Sequence, residues 1–115
     1  MKHFDCVTLF CPEKKSDSAF AWRRYLLHGV SLLCSEDVEG TSSVMYVFNR
    51  DAVAFCGGAR CMVPEITPGC AVYFGHDSFS SAAEVSTLPD GKAMKVKSVK
   101  RYPHGRHSYV KVILS

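Results

Sequence analysis

Six cysteines (Cys6, Cys11, Cys34, Cys56, Cys61 and Cys70) and five histidines are the side chains of this sequence best suited to metal binding or nucleophilic chemistry. Structural zinc sites use tight cysteine knuckles and regular ligand spacing. Cys6-x4-Cys11 and Cys56-x4-Cys61 lack the two-residue knuckle, and His104-x2-His107 falls in a turn. A cysteine nucleophile needs a neighbouring base to make its thiolate. Cys56-Gly57-Gly58 has the look of an exposed site, but nothing in the sequence sets a histidine beside it. Gly57-Gly58-Ala59-Arg60 could cradle a phosphate, yet no Lys-Ser/Thr follows and no helix begins there. Glu36, Asp37 and Glu39 form a solvated acidic run, available to a basic surface on a neighbouring subunit. The expectation is a protein that is not an enzyme, with no metal and no cofactor. Cysteines in apolar surroundings, as in Phe55-Cys56 and Cys70-Ala71-Val72, read as reduced core thiols.

Charge is the most informative property. The chain carries a net of +3. Residues 1–91 hold seven Lys/Arg against eleven Asp/Glu, a net of −4, whereas residues 92–115 hold seven Lys/Arg and no acid, a net of +7. The basic residues are Lys92, Lys95, Lys97, Lys100, Arg101, Arg106 and Lys111, and the expectation is that they cluster on one face of a closing hairpin. Such a face could hold an acidic protein surface or nucleic acid, with Tyr102 and Tyr109 stacking on bases. Lysines on an exposed hairpin also discourage edge-to-edge pairing, which is the plain alternative.

These residues must be positioned by a fold, and the sequence reads as mostly β: a single domain over residues 1–115, a small barrel or sandwich with long loops and at most one short helix. Phe4–Phe10 reads as a strand and Cys11–Ser18 as a polar connection. Ala19–Cys34 has no clean apolar face as helix or strand; Gly29 disfavours a helix, so a long strand bent near Gly29 is expected. Ser43–Phe48 alternates Val44, Tyr46 and Phe48 against Met45 and Val47. Asn49-Arg50-Asp51 is a turn, and Ala52–Met62 a strand broken at Gly57-Gly58. Pro68-Gly69 is a turn before a strand over Cys70–Phe74. His76–Ser86 reads as a polar loop or short helical turn, and Pro89-Asp90-Gly91 as another turn. Ala93–Arg101 and Ser108–Leu114 are the arms of the hairpin, joined by residues 102–107.

Met1–Phe10 lacks the basic start and apolar stretch of a signal peptide. No run of about 20 apolar residues could span a membrane. The expected location is the cytoplasm, with no membrane partner.

Several segments resemble a known family, the small neck proteins of tailed phages and prophages, described as minor capsid or head–tail joining proteins. Phe4-Asp-Cys-Val-Thr-Leu-Phe10 resembles its opening strand, and Trp22-Arg-Arg-Tyr-Leu-Leu-His-Gly-Val-Ser-Leu32 its next strand, where an aromatic residue precedes Gly-Val. Ile66-Thr-Pro-Gly-Cys70 resembles its Pro-Gly-Asp turn, with Cys70 in place of the aspartate. Met94–Lys100 and then Gly105–Tyr109 resemble its closing hairpin, with Tyr102-Pro103 in place of the usual asparagine turn. The resemblance spans about four fifths of the chain through short motifs. It implies a β-barrel-like subunit of a ring between capsid and tail. It further implies a virion location, with neck, capsid and tail proteins as partners and no catalysis. Cys11–Ser18, Ser35–Ser43 and His76–Ser86 would be its docking loops. The rival is a small β-barrel module resembling PUA-like RNA-binding barrels, gripping nucleic acid through the basic hairpin. A helix near Ala19–Leu33 would favour that rival.

Overall fold

The structure, a computed structural model, describes residues 6–34, 43–75, 82–88, 93–103 and 108–115. Every element among them is a strand: β1 (Cys6–Lys14), β2 (Phe20–His28), β3 (Val30–Cys34), β4 (Ser43–Phe48), β5 (Val53–Cys56), β6 (Ala59–Cys61), β7 (Ala71–Phe74), β8 (Glu84–Val85), β9 (Ala93–Tyr102) and β10 (Tyr109–Leu114). They form one antiparallel sheet in the order β3-β4-β10-β9-β7-β1-β2-β5-β6, with β8 paired to β2, curled into a half-barrel.

Two bent strands produce the curl. β2 and β3 are one stretch of chain turned at Gly29, as the sequence suggests. Gly29 has φ +77°, and a Cβ there would collide with the Asp51 carbonyl. Glycine alone meets both conditions without strain. β2 pairs with β1 and β5, while β3 pairs with β4 at the far end of the sheet order. The other bent strand is β9. Its first residues pair with β7 and its remainder with β10, across a register shift next to Leu114. Leu114 faces Val96 and Ile113 faces Ser98, so Lys97 is the extra residue of a β-bulge.

The curled sheet closes on a core of Val7, Leu9, Leu27, Val30, Met45, Val47, Ala54, Ile66, Cys70, Val72, Val96, Val112 and Leu114. β4 alternates buried with half-buried residues along its whole length, the pattern of a sheet with one face inward. β1 differs, because Val7, Thr8, Leu9 and Phe10 are all buried. A central strand covered on both faces shows no alternation, and Thr8 is retained there by donating to the Gly75 carbonyl at 2.8 Å.

Three expectations are corrected. Cys11–Lys14 is strand, not loop: Cys11 faces Arg23 and Lys14 faces Phe20. Past Cys11, which packs against the core, this arm alternates exposed and half-buried residues, and composition alone reads it as a connection. The true turn is short, with Lys15 and Ser16 amides donating to the Ala19 carbonyl at 3.0 and 3.2 Å. Within His76–Ser86, Glu84 and Val85 pair with Arg23 and Trp22 as a strand, and an ionic cluster of Glu13, Lys15, Arg23 and Glu84 secures them. Cysteine burial is narrower than expected: Cys70 is buried, whereas Cys6, Cys11, Cys56 and Cys61 are half-buried. Residues 4–5, 35–42, 76–81 and 89–91 of the expected elements lie outside the described residues.

Candidate interaction face

The hairpin of β9 and β10 forms as the sequence implies, with Tyr102 opposite Tyr109, Arg101 opposite Val110, Lys100 opposite Lys111 and Val99 opposite Val112. Side chains alternate between faces along each strand. Val110, Val112 and Leu114 therefore face the core, and Tyr109, Lys111 and Ile113 face out. β4 lies on the other side of β10, placing Tyr46 opposite Lys111 and Phe48 opposite Tyr109.

The outer face of β4–β10–β9 thus carries a strip of four rings. Tyr102 stacks on Tyr109 with centroids 4.6 Å apart. Tyr109 meets Tyr46 at 5.9 Å and Phe48 at 6.2 Å, and Tyr46 and Phe48 stack at 6.5 Å. Lys100 holds its ammonium 5.3 Å from the Tyr102 ring centre, within cation–π range. Its cross-strand neighbour is Lys111, a like charge. Like charges directly opposite destabilise a sheet, so this pair stands against the fold's own stability.

The predicted basic residues do not all share this face. Lys95, Lys97 and Lys100 are exposed on β9, and Lys111 is half-buried on β10. Arg101 points the other way. Its guanidinium donates to the Ile66 carbonyl at 3.1 Å and to Glu65 Oε1 at 3.2 Å. It lines a cleft of about 300 Å³ with Val47, Val63, Pro64 and Val110 and pins the segment before β7 to the barrel. Strict alternation sets Arg101 on the face opposite Lys100 and Tyr102. Lys92 and Arg106 lie outside the described residues. Comparison with protein families, curated proteins and solved structures finds no match.

Tyr102 and Tyr109 are visible in the sequence as aromatic residues of the basic hairpin. Tyr46 and Phe48 are visible only as one side of an alternating strand. Their junction with the hairpin depends on the β4–β10 pairing.

A second cluster went unseen in the sequence. Cys11 and Cys70 approach to 3.6 Å between sulfurs and hydrogen-bond to each other. That bond holds the Cys70 thiol down at about 6, opposed by burial and helped by Thr67. The same bond, together with burial, pushes Cys11 well above the ordinary thiol range. Among the described residues, no three His, Cys, Asp or Glu side chains gather as a metal site.

Proposed function

We propose that this protein is a structural assembly subunit of the head–tail joining, minor capsid kind. It docks through the outer face of β4–β10–β9 onto an acidic surface of a neighbouring neck, capsid or tail protein, including the next copy in a ring. The observation that carries this reading is the Lys100–Lys111 pair set directly opposite within a four-ring aromatic strip. A like-charge pair costs stability in the free subunit and is relieved when a carboxylate-bearing partner covers it. Tyrosines are enriched at the centres of protein interfaces, where their rings bury area at low entropy cost. The acidic balance of residues 1–91 and the basic balance of residues 92–115 suit head-to-tail contacts between copies. The likeness of the strand and turn motifs to phage neck proteins supports the same reading.

A second reading rests on the same strip, because lysines interleaved with half-buried surface rings also suit single-stranded nucleic acid. One pair of measurements separates them. Particles purified after induction of the source bacterium are quantified by mass spectrometry. The chain is expected to co-purify with capsid and tail proteins at a low, ring-like stoichiometry, and complete particles lacking it would refute the assembly reading. Fluorescence anisotropy with oligo-dT and oligo-U is expected to show no micromolar binding at physiological salt. Tight binding, lost in Tyr102→Ala and steeply weakened by salt, would establish the second reading instead.

A further inference from the structure

We infer that Cys11 and Cys70 form a dithiol that closes reversibly into a cross-strand disulfide, stapling β1 to the start of β7. The β1–β7 ladder ends with Phe10 opposite Ala71, so the next opposed positions are Cys11 and Cys70. Directly opposed residues of antiparallel strands have Cα atoms about 4.5 to 5.5 Å apart, inside the range a disulfide spans. The sulfurs already stand 3.6 Å apart, so closure needs only a small shift of the side chains. Cys70 is held by the turn before β7: its amide donates to the Thr67 carbonyl at 3.1 Å, and Thr67 Oγ1 lies 3.7 Å from its sulfur.

Access is asymmetric. Cys70 is 2% exposed, whereas Cys11 is half-buried and lines an open cleft of about 290 Å³ with Pro12, Glu13, Arg23 and Tyr25. A small-molecule disulfide such as oxidised glutathione therefore meets Cys11 first. Cys11 is the accessible thiol but the harder one to ionise, so its proton passes to the hydrogen-bonded Cys70 sulfur as its own sulfur attacks one glutathione sulfur. The glutathione S–S bond breaks, and the first glutathione leaves as a thiolate that takes up a proton. Cys70, giving up the proton it received, then attacks Cys11 Sγ and expels the second glutathione in the same way. Two cysteine sulfurs are oxidised to one disulfide, one glutathione disulfide is reduced to two thiols, and two protons, one from Cys11 and one from solvent, end on them.

The geometry is selective. Cys56 faces Ala59 and Cys61 faces Ala54 across the β5–β6 hairpin, so these two cysteines are diagonal neighbours. Diagonal positions lie about 7 to 8 Å apart, too far to bridge without moving the backbone. The inference is independent of the assembly reading, since it concerns only the chain's own thiols.

The test uses the full chain equilibrated in mixtures of reduced and oxidised glutathione, acid-quenched, alkylated and mapped by peptide mass spectrometry. The expected product is a dominant Cys11–Cys70 cross-link, reversed by reductant, with a Tm about 10 °C above that of the reduced protein, because the bridge closes a long loop. C11S should fold, keep the Tm of the reduced protein within a few degrees and form no such cross-link, since Cys11 is only half-buried. A dominant Cys56–Cys61 bridge, stable glutathione adducts without the intramolecular cross-link, or an oxidised form no more stable than the reduced one would overturn the inference. C70S provides a second check where it folds; where it does not, C11S decides alone.

Discussion

At the scale of single residues, Arg101 and Lys100 are neighbours in sequence with opposite duties. Arg101 holds the Ile66 carbonyl and the Glu65 carboxylate to the barrel end. Its ion pair is half exposed and contributes little, but its bond to a main-chain carbonyl is worth more. Arg101→Ala is therefore expected to cost about 1 kcal/mol in urea unfolding and to leave assembly intact. Lys100→Glu has the reverse signature. It converts a repulsive cross-strand pair into an attractive one, so the free subunit should gain a few tenths of a kcal/mol. Its assembly with partners should nevertheless weaken. Equilibrium unfolding combined with co-sedimentation measures both quantities, and a Lys100→Glu protein that is destabilised and still assembles would contradict the assignment of this face.

At the scale of elements, the bend between β2 and β3 decides whether the sheet can curl. Gly29 sits at positive φ directly against the backbone of the Asn49–Ala52 turn. Any side chain there meets both conformational strain and a steric clash with main-chain atoms that cannot rotate away. Gly29→Ala is expected to destabilise the protein by on the order of 3 kcal/mol, read from the shift in urea midpoint. Gly58 also has positive φ, at the tip of the β5–β6 hairpin, but a Cβ there meets nothing within 4 Å. Gly58→Ala should thus cost clearly less than Gly29→Ala, and equal costs would argue that the bend carries no special constraint. The β9 bulge plays a complementary part, letting one strand serve β7 and then β10 while turning Lys97 outward.

For the whole molecule, the lysines of β9 are exposed and the ionic cluster of Glu13, Lys15, Arg23 and Glu84 is engaged elsewhere, in fastening β8. Of the hairpin's cations, Arg101 is engaged within the molecule by Glu65, whereas Lys95, Lys97 and Lys100 are exposed. Reversing Lys95 and Lys97 together should weaken assembly in a salt-dependent manner, with the difference from the parent shrinking as ionic strength rises toward 1 M. Unfolding midpoints should change little, because both side chains are exposed. Light scattering across a salt series reads the first effect and urea denaturation the second; an assembly unaffected at low salt would remove these residues from the interface.

Local residue order alone determined the β class, the strands over Ser43–Phe48 and the closing hairpin, the bend at Gly29 and the turn at Pro68-Gly69. Those features depend on period-two alternation and on the φ preferences of glycine and proline, which neighbours in sequence reveal. It also determined that the basic residues are concentrated after residue 91. Tertiary structure decided the rest. The strand character of Cys11–Lys14 comes from pairing with β2, which tolerates polar residues where no core must be filled. The burial of both faces of β1, from Val7 to Phe10, depends on what the fold packs over the strand and not on its own alternation. The four-ring strip needs Tyr46 and Phe48 brought to Tyr109 by the β4–β10 ladder, and the Cys11–Cys70 pair needs β1 laid against β7, 59 positions away. Strand pairing between distant segments is chosen by the global fit of apolar faces into one core, and no local pattern of residues specifies that fit.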